Sequence, residues 1–298
     1  SHRTYFLWYL DVKNDIMQLK SLHNFFKNGL IGYYPKEEID AFFYRICDMH
    51  LNLKRIDIAL KSDMIVAAQT FEYFEMVIER LLNYEPIQYI LGSTFFFGSD
   101  FIVDKQVLIP RPETEELISW ILDQVDTNQP IKILDVGTGS GCIAISLAKQ
   151  LPRAEVYAMD ISSGALSIAK QNAEANGVVV QFIEASVLEW ENQDLLFDVI
   201  VSNPPYVRES EKEMMSPNVL NHEPRLALFV ENNNPLLFYK AILEMSKKNL
   251  TIEGLIFFEI NEYLAEETKS LFLSTFFEGV QLKADIFSKK RMLCAKKR

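Results

Sequence analysis

Three short stretches hold residue types and spacings that could do chemistry: "DVGTGSGCIA" from Asp135, "YAMDIS" with Asp160, and "DVIVSNPPYV" from Asp198. In the last, Val199-Ile200-Val201 is a β-branched run that reads as a strand buried on both faces. Pro204 and Pro205 remove two N–H donors and fix φ, so the ladder stops there. Asn203 precedes a proline and is pushed towards extended backbone. The stretch therefore predicts a stiff loop at the carboxyl end of a strand, where open α/β sheets place their ligands. An Asn-Pro-Pro met alone is also an ordinary strand-ending turn.

The loop Gly137-Thr138-Gly139-Ser140-Gly141 lies between a strand and a helix. Its glycines let backbone approach a ligand closely, and the helix amino terminus behind them favours an anionic group. It suits a dinucleotide or S-adenosylmethionine. The third Gly falls one residue early for the usual G-x-G-x-x-G spacing. Asp135, at the head of the loop, suits a cationic methyl donor better than a pyrophosphate. Asp160 ends the next strand, where a carboxylate can accept from both hydroxyls of a ribose; the alternative is a helix N-cap.

These placements give Asn203 a purpose. A methyl donor held at the Gly loop needs an attacking nitrogen in line with its sulfonium, and amide or aryl amine nitrogens are poor nucleophiles. The Asn203 side-chain carbonyl and the Pro204 backbone carbonyl can accept both N–H bonds of an NH₂ group, aiming it and loosening its conjugation. Tyr206 can pack against the planar group. Catalysis is then positioning and electrostatics. No catalytic base is required, and none is identified.

The elements that must hold these residues follow from periodicity. From Pro130 onward strands and helices alternate: "IKILDVG", "EVYAMDIS", "VVVQFIEAS", "FDVIVSNPPY" and "GLIFFEIN" read as strands. "GCIAISLAKQLP" and "SGALSIAKQNAEANG" read as helices between them, and "VQLKADIFSKKRMLCAKK" as a final pair of strands. The fold class is α/β, a Rossmann-like doubly wound sheet. Residues 1–84 predict a small helical domain, with Ile39, Phe42, Phe43, Ile46 and Cys47 on one helix face and Phe71, Phe74, Val77, Ile78 and Leu81 on another. No Gly lies between Gly32 and Gly92. Residues 85–109 predict a hairpin linker, and 110–298 the catalytic domain, opening with a helix at "RPETEELISWIL".

The 298 residues are 49% hydrophobic, with mean hydropathy near zero, as in a soluble globular protein. No apolar run approaches a membrane span. "SHRTYFLWYL" lacks the pattern of a signal peptide. Three separated cysteines and four scattered histidines argue for reduced thiols in a cytoplasm and against a metal site or a disulfide framework. The net charge of −11 weighs against tight binding of naked nucleic acid. The basic tail "SKKRMLCAKKR" reads as a last strand with a solvated end.

On "PIQYILG", "FFGSDFIVDKQVLIPRPETEELI", "ILDVGTGSGCIAISLA", "DISSGAL", "VSNPPY" and "HEPRLAL", residues 84–298 resemble the HemK-type protein-(glutamine-N5) methyltransferases, which modify peptide-chain release factors. "NPPY" alone recurs in adenine methyltransferases; joined to "VLIPRPETE" and the Gly loop it is specific. The resemblance implies S-adenosylmethionine as cofactor, with S-adenosylhomocysteine as product, and a release factor as protein partner, without direct nucleic acid or membrane contact. It places the methyl-donor site on Gly137, Thr138, Gly139, Ser140, Gly141, Asp160 and Asn203. It places the substrate amide on Asn203, Pro204, Pro205 and Tyr206, with Asn203, Pro204 and Tyr206 as the catalytic set. The family's acid–aromatic pair near the adenine reads Ser186-Val187 here. Glu223 and Pro224 match a family loop near the site, or else a plain surface loop. "FFEINEY" has Asn261 and "DIFSKKRM" has Ser288 where the family has Gly; both are expected to lie away from the chemistry. An adenine-N6 methyltransferase of DNA or RNA, and a binding module that keeps the fold as scaffold, are the other readings.

Overall fold

Helical spacing of apolar residues builds the first of two units, which ends at Leu91; the second begins at Gly92. The computed structural model describes residues 17–192, 194–273 and 276–298. The opening stretch read for a signal peptide, and the start of the predicted helical domain, lie outside them. The first unit holds α1 (Leu19–Leu30), α2 (Lys36–Leu51), α3 (Arg55–Leu60), α4 (Ala68–Leu82) and α5 (Ile87–Leu91). Phe26, Phe43 and Phe74 meet at its centre, with ring centroids 5.4–5.8 Å apart in tilted and edge-on pairs. Ile39, Ile46, Cys47, Val77, Ile78 and Leu81 are buried around them, while Phe42 and Phe71 sit half-buried at the margin. Helix α2 ends at Asn52, in the left-handed region at φ 54°.

The second unit opens with a hairpin, β1 (Ser93–Phe96) and β2 (Ser99–Ile102). Its two turn residues, Phe97 and Gly98, both have positive φ, as a two-residue hairpin turn requires. Helix α6 (Pro112–Gln124) follows, with Pro112 in its first turn. The sheet then alternates with helices: β3 (Lys132–Val136), α7 (Cys142–Gln150), β4 (Glu155–Asp160), α8 (Ser163–Ala175), β5 (Gln181–Glu184) and β6 (Phe197–Ser202). Beyond β6 come β7 (Val207–Arg208), α9 (Pro217–His222), α10 (Arg225–Leu228) and β8 (Phe229–Val230), with β7 and β8 pairing in parallel. Helix α11 (Leu237–Asn249), β9 (Leu250–Glu259), α12 (Ala265–Ser270), β10 (Phe277–Ala284) and β11 (Lys290–Lys297) complete it.

The seven-stranded sheet has the order β10-β11-β9-β6-β3-β4-β5. Strands β5, β4, β3, β6 and β9 are parallel, and β11 runs antiparallel between β9 and β10. Strands β3 to β5 step outward one way, and β6 returns to the other side of β3. The carboxyl ends of β3 and β6 therefore form the switch-point crevice of the sheet. The strand read from Val178 starts only at Gln181, because the Val178 N–H donates to the Ala173 carbonyl and closes the end of α8. The basic tail is not wholly solvated: Lys297 is buried, and its ammonium caps the carbonyls of Lys247 and Leu250 at the end of α11. Among the described residues no helix is long and apolar enough to cross a membrane.

Asn172 of α8 fastens the hairpin to the Gly loop. Its fully buried amide accepts from the Ile102 N–H at 2.6 Å and donates to the carbonyls of Ile102 and Ser140, each at 2.9 Å. Ser288, in the turn between β10 and β11, lies at φ 63°, a left-handed conformation that Gly adopts without the strain a Ser side chain brings. Asn172→Ala takes the partner from one buried and two half-buried backbone groups and is expected to cost about 2–4 kcal/mol, measured by denaturant unfolding. Ser288→Gly is expected to raise the thermal midpoint by ~2 °C, read by calorimetry.

Candidate active site

The residues at the head of the Gly loop are drawn into the fold. Asp135 is fully buried; the Thr138 hydroxyl donates to its Oδ2 at 2.6 Å, while Oδ1 has no hydrogen-bond partner. Burial pushes this carboxyl up to about 7. The N–H groups of Gly137 and Thr138 both donate to the Met159 carbonyl, and that of Gly139 donates to Asp160 Oδ2 at 2.9 Å. The Gly141 N–H donates to the Thr138 carbonyl. Four N–H groups that a phosphate cradle would need are thus already in use, which counts against the dinucleotide reading. A Cβ at Gly137 or Gly139 would meet nothing within 4 Å, so these two present open backbone faces. Gly141 differs: a Cβ there would stand 2.8 Å from Ile145 Cδ1 and 3.1 Å from Ala169 Cβ, so its bareness serves the packing of α7 on α8. Thr138 and Ser140 have buried side chains.

Asp160 closes β4 beside this loop. Its Oδ2 holds Gly139 and its Oδ1 accepts from the Ser162 N–H at 2.9 Å, leaving a second lone pair on each oxygen. Ser162, not Asp160, caps α8, through a bond from the Ala165 N–H. Burial raises the Asp160 carboxyl above its ordinary value. Ile161 next to it is 64% exposed, an apolar surface at the crevice that the motif reading passed over. Ser186 and Val187 follow the end of β5, where the Ala185 N–H donates to the Asp160 backbone carbonyl at 3.1 Å. Ser186 caps a short 3₁₀ turn and Val187 packs on the core.

At the end of β6, the Ser202 hydroxyl donates to the Val136 carbonyl at 2.6 Å and locks the corner to β3. Pro204 is buried and Asn203 and Pro205 half-buried. Neither the Asn203 side chain nor the Pro204 carbonyl has a hydrogen-bond partner among the described residues. Both line a cavity of about 50 Å³ with Arg111, Tyr206, Leu228 and Glu259. Two unpaired oxygen acceptors beside one cavity can together hold the two N–H bonds of a planar NH₂ group.

Around this corner the structure adds residues that local spacing did not reveal. The Tyr206 hydroxyl donates to Glu259 Oε1 at 3.1 Å, and the Thr114 hydroxyl to Glu259 Oε2 at 2.6 Å. Asn261, expected to lie away from the chemistry, instead donates to the Tyr206 carbonyl at 3.0 Å and to Glu211 Oε2 at 3.1 Å. Its φ of −69° needs no Gly, and the side chain does what Gly could not. Glu223 is no plain surface carboxylate: it is buried, accepts from the Ile109 N–H at 3.1 Å and pairs with Arg111 Nη2 at 2.6 Å. It thereby ties "IPRP" to "HEPRLAL" at the lip of the cavity, with Pro224 as the N-cap of α10. Cys47, Cys142 and Cys294 are buried and free, and no cluster of His, Cys, Asp or Glu among the described residues could hold a metal ion.

The sheet order and the corner at its switch point are those of a Rossmann-like methyltransferase. Residues 117–227 match the methyltransferase small domain and residues 32–92 the PrmC N-terminal domain. The catalytic domain of hMettl16, solved with a MAT2A 3'UTR hairpin, superposes with a TM-score of 0.56 over 72% of this chain and 82% of its own, at 19% identity; the likeness is one of fold. The release factor glutamine methyltransferase of Flavobacterium psychrophilum is 46% identical over 280 residues, 93% of this chain and 98% of that protein. That of Bacteroides thetaiotaomicron is 42% identical over 272 residues, 91% and 97% of the two chains. The chain belongs to the release factor glutamine methyltransferase family.

The buried Asp135 has a consequence for stability. Its carboxyl rises from the ordinary 3.8 to about 7 in the folded protein, so between these values the folded state binds more protons than the unfolded chain. This contribution to stability is present at low pH and is lost as pH rises towards 7. Relative to Asp135→Asn, the ligand-free wild type is expected to lose on the order of 2–3 kcal/mol between pH 5 and pH 8, followed by thermal unfolding at each pH.

Proposed function

We propose that this chain transfers a methyl group from S-adenosylmethionine to the side-chain amide N5 of the glutamine in the GGQ loop of a peptide-chain release factor. Its relatives are named release factor glutamine methyltransferases. The observation that carries the reading is the pair of unpaired acceptors, the Asn203 side chain and the Pro204 carbonyl, at the switch point of the sheet. S-adenosylmethionine, when bound, supplies an electrophilic methyl group on a sulfonium.

The residues present fit that group. The open backbone faces of Gly137 and Gly139 admit it closely, and the two remaining lone pairs of Asp160 suit ribose hydroxyls. Ile161 offers an apolar surface and Ser186-Val187 the neighbouring edge for an adenine ring. The loop N–H groups turned inward favour a donor without phosphates over a dinucleotide.

On the acceptor side Asn203 and Pro204 each take one N–H of the glutamine amide. This fixes the direction of the nitrogen lone pair and lessens its conjugation with the carbonyl. Pro205 keeps the corner rigid, and the Tyr206 ring forms a wall of the cavity. The nitrogen becomes acidic only as its new bond forms, so no base is needed before attack. The net charge of −11 favours a protein acceptor over naked nucleic acid. A release-factor substrate also sets the compartment, since the enzyme must work in the cytoplasm where translation occurs.

Asn203→Ala is expected to bind S-adenosylmethionine within about threefold of wild type by calorimetry. It is expected to lose at least about 100-fold in transfer, the scale of removing one aligned polar group from an active site. Mass spectrometry of the release factor reads a single methyl on the GGQ glutamine with wild type and none with the variant. Undiminished turnover by the variant would remove the proposed role of the corner. Methylation of an adenine oligonucleotide in place of the release factor would favour the nucleic-acid reading.

A further inference from the structure

Glu259, the last residue of β9, takes no part in the transfer as described, yet its surroundings are those of a built site. It is 3% exposed, among apolar side chains of the sheet, and lines the same cavity as Asn203 and Pro204. Each carboxylate oxygen is engaged by a hydroxyl from a different part of the fold: Tyr206, after β6, on Oε1 and Thr114, in α6, on Oε2. Its backbone carbonyl accepts from the Tyr239 hydroxyl of α11 at 2.8 Å, so its own position is fixed from a fourth element. Both hydrogen bonds to this carboxylate come from neutral hydroxyls, and the Arg291 charge nearby offsets only part of its burial, which still raises the carboxyl; an apolar residue of similar size would pack there at less cost. Tyr206 in turn is gripped at both ends, by Glu259 at its hydroxyl and by Asn261 at its carbonyl. The ring cannot swing without breaking the first bond, and the peptide after Tyr206 cannot shift without breaking the second.

We infer that Glu259 is a positioning residue for methyl transfer, acting through the Tyr206 hydroxyl to hold the aromatic ring as a fixed wall beside the Asn203–Pro204 acceptor pair. This rests on the proposed acceptor role of that pair. The ring restricts the planar amide to one orientation, and Glu259 restricts the ring. A hydrogen-bond acceptor is what the role demands, not a charge. Gln in its place keeps a carbonyl for Tyr206, and Leu keeps the volume alone.

The test is steady-state kinetics of the full chain with S-adenosylmethionine and a release factor, with the thermal midpoint of each variant recorded. Glu259→Gln is expected to retain kcat within about threefold. Glu259→Leu is expected to lose kcat at least tenfold, with KM for the methyl donor within twofold of wild type. Tyr206→Phe cuts the same bond from the other side and is expected to give the same split. The double variant Glu259→Leu with Tyr206→Phe should then be no slower than the slower single one. Should Glu259→Leu not fold, Tyr206→Phe with Glu259→Gln carries the test. Multiplying losses in the double variant would overturn the inference, as would full kcat in Tyr206→Phe or a Glu259→Gln variant tenfold or more slower than wild type. A wild type that methylates no release factor sinks the functional reading instead, and Asn203→Ala separates the two cases.

Discussion

Two consecutive prolines cannot extend a hydrogen-bonded ladder, and the site depends on that constraint. Strand β6 is parallel to both its neighbours and buried through Val199, Ile200 and Val201, so without a stop its carbonyls would go on finding partners. Pro204 and Pro205 end the pairing at Ser202 and fix the backbone just beyond it. The oxygens of Asn203 and Pro204 are left without donors just beyond the last paired residue of the strand. The hydroxyl of Ser202 anchors this break to the end of β3, so the two loops of the switch point share one fixed point. Rigidity here comes from a missing donor as much as from bonds formed.

The Gly loop works by the opposite means, since four of its backbone N–H groups are already bonded within the fold. Asp160 and the Met159 carbonyl bind three successive loop N–H groups, which sets the loop's shape from the end of β4. Asn172 then joins the loop to the hairpin that opens the second unit. The loop is a surface of shaped backbone with little hydrogen-bonding capacity of its own, and recognition falls to side chains at neighbouring strand ends.

Much of this was legible in the sequence because it is local. The glycines and prolines declare their backbone constraints within a few residues, and the strand pattern fixes which ends they occupy. The helix faces at Ile39 to Cys47 and Phe74 to Leu81 follow from periodicity in the same way. Glu259, Asn261 and the Arg111–Glu223 pair were not legible as a site, because their partners are remote in sequence. Thr114 and Glu259 are 145 residues apart, and Arg111 and Glu223 are 112 apart. No spacing rule spans such distances; only the closing of the sheet brings these groups together. Asn261 shows the further limit that a departure from a family pattern carries no sign of its purpose until its hydrogen bonds are seen.

The strand ends also share an electrostatic character. Asp135 is the next-to-last residue of β3, Asp160 closes β4 and Glu259 closes β9, and burial raises all three carboxyls. Their hydrogen-bond donors are hydroxyls and backbone N–H groups, not cations. The guanidinium of Arg111, which lines the acceptor cavity, is committed to Glu223, while the charge of Arg291 acts on Glu259 and Tyr206. Asp135 and Asp160 have no cationic hydrogen-bond partner among the described residues, and a cationic group entering beside them would lower the cost of keeping them ionised. A phosphate would raise that cost and find the loop N–H groups taken. The buried acids that cost the fold stability thus also favour a cation over an anion at this edge, so the two effects have one physical origin.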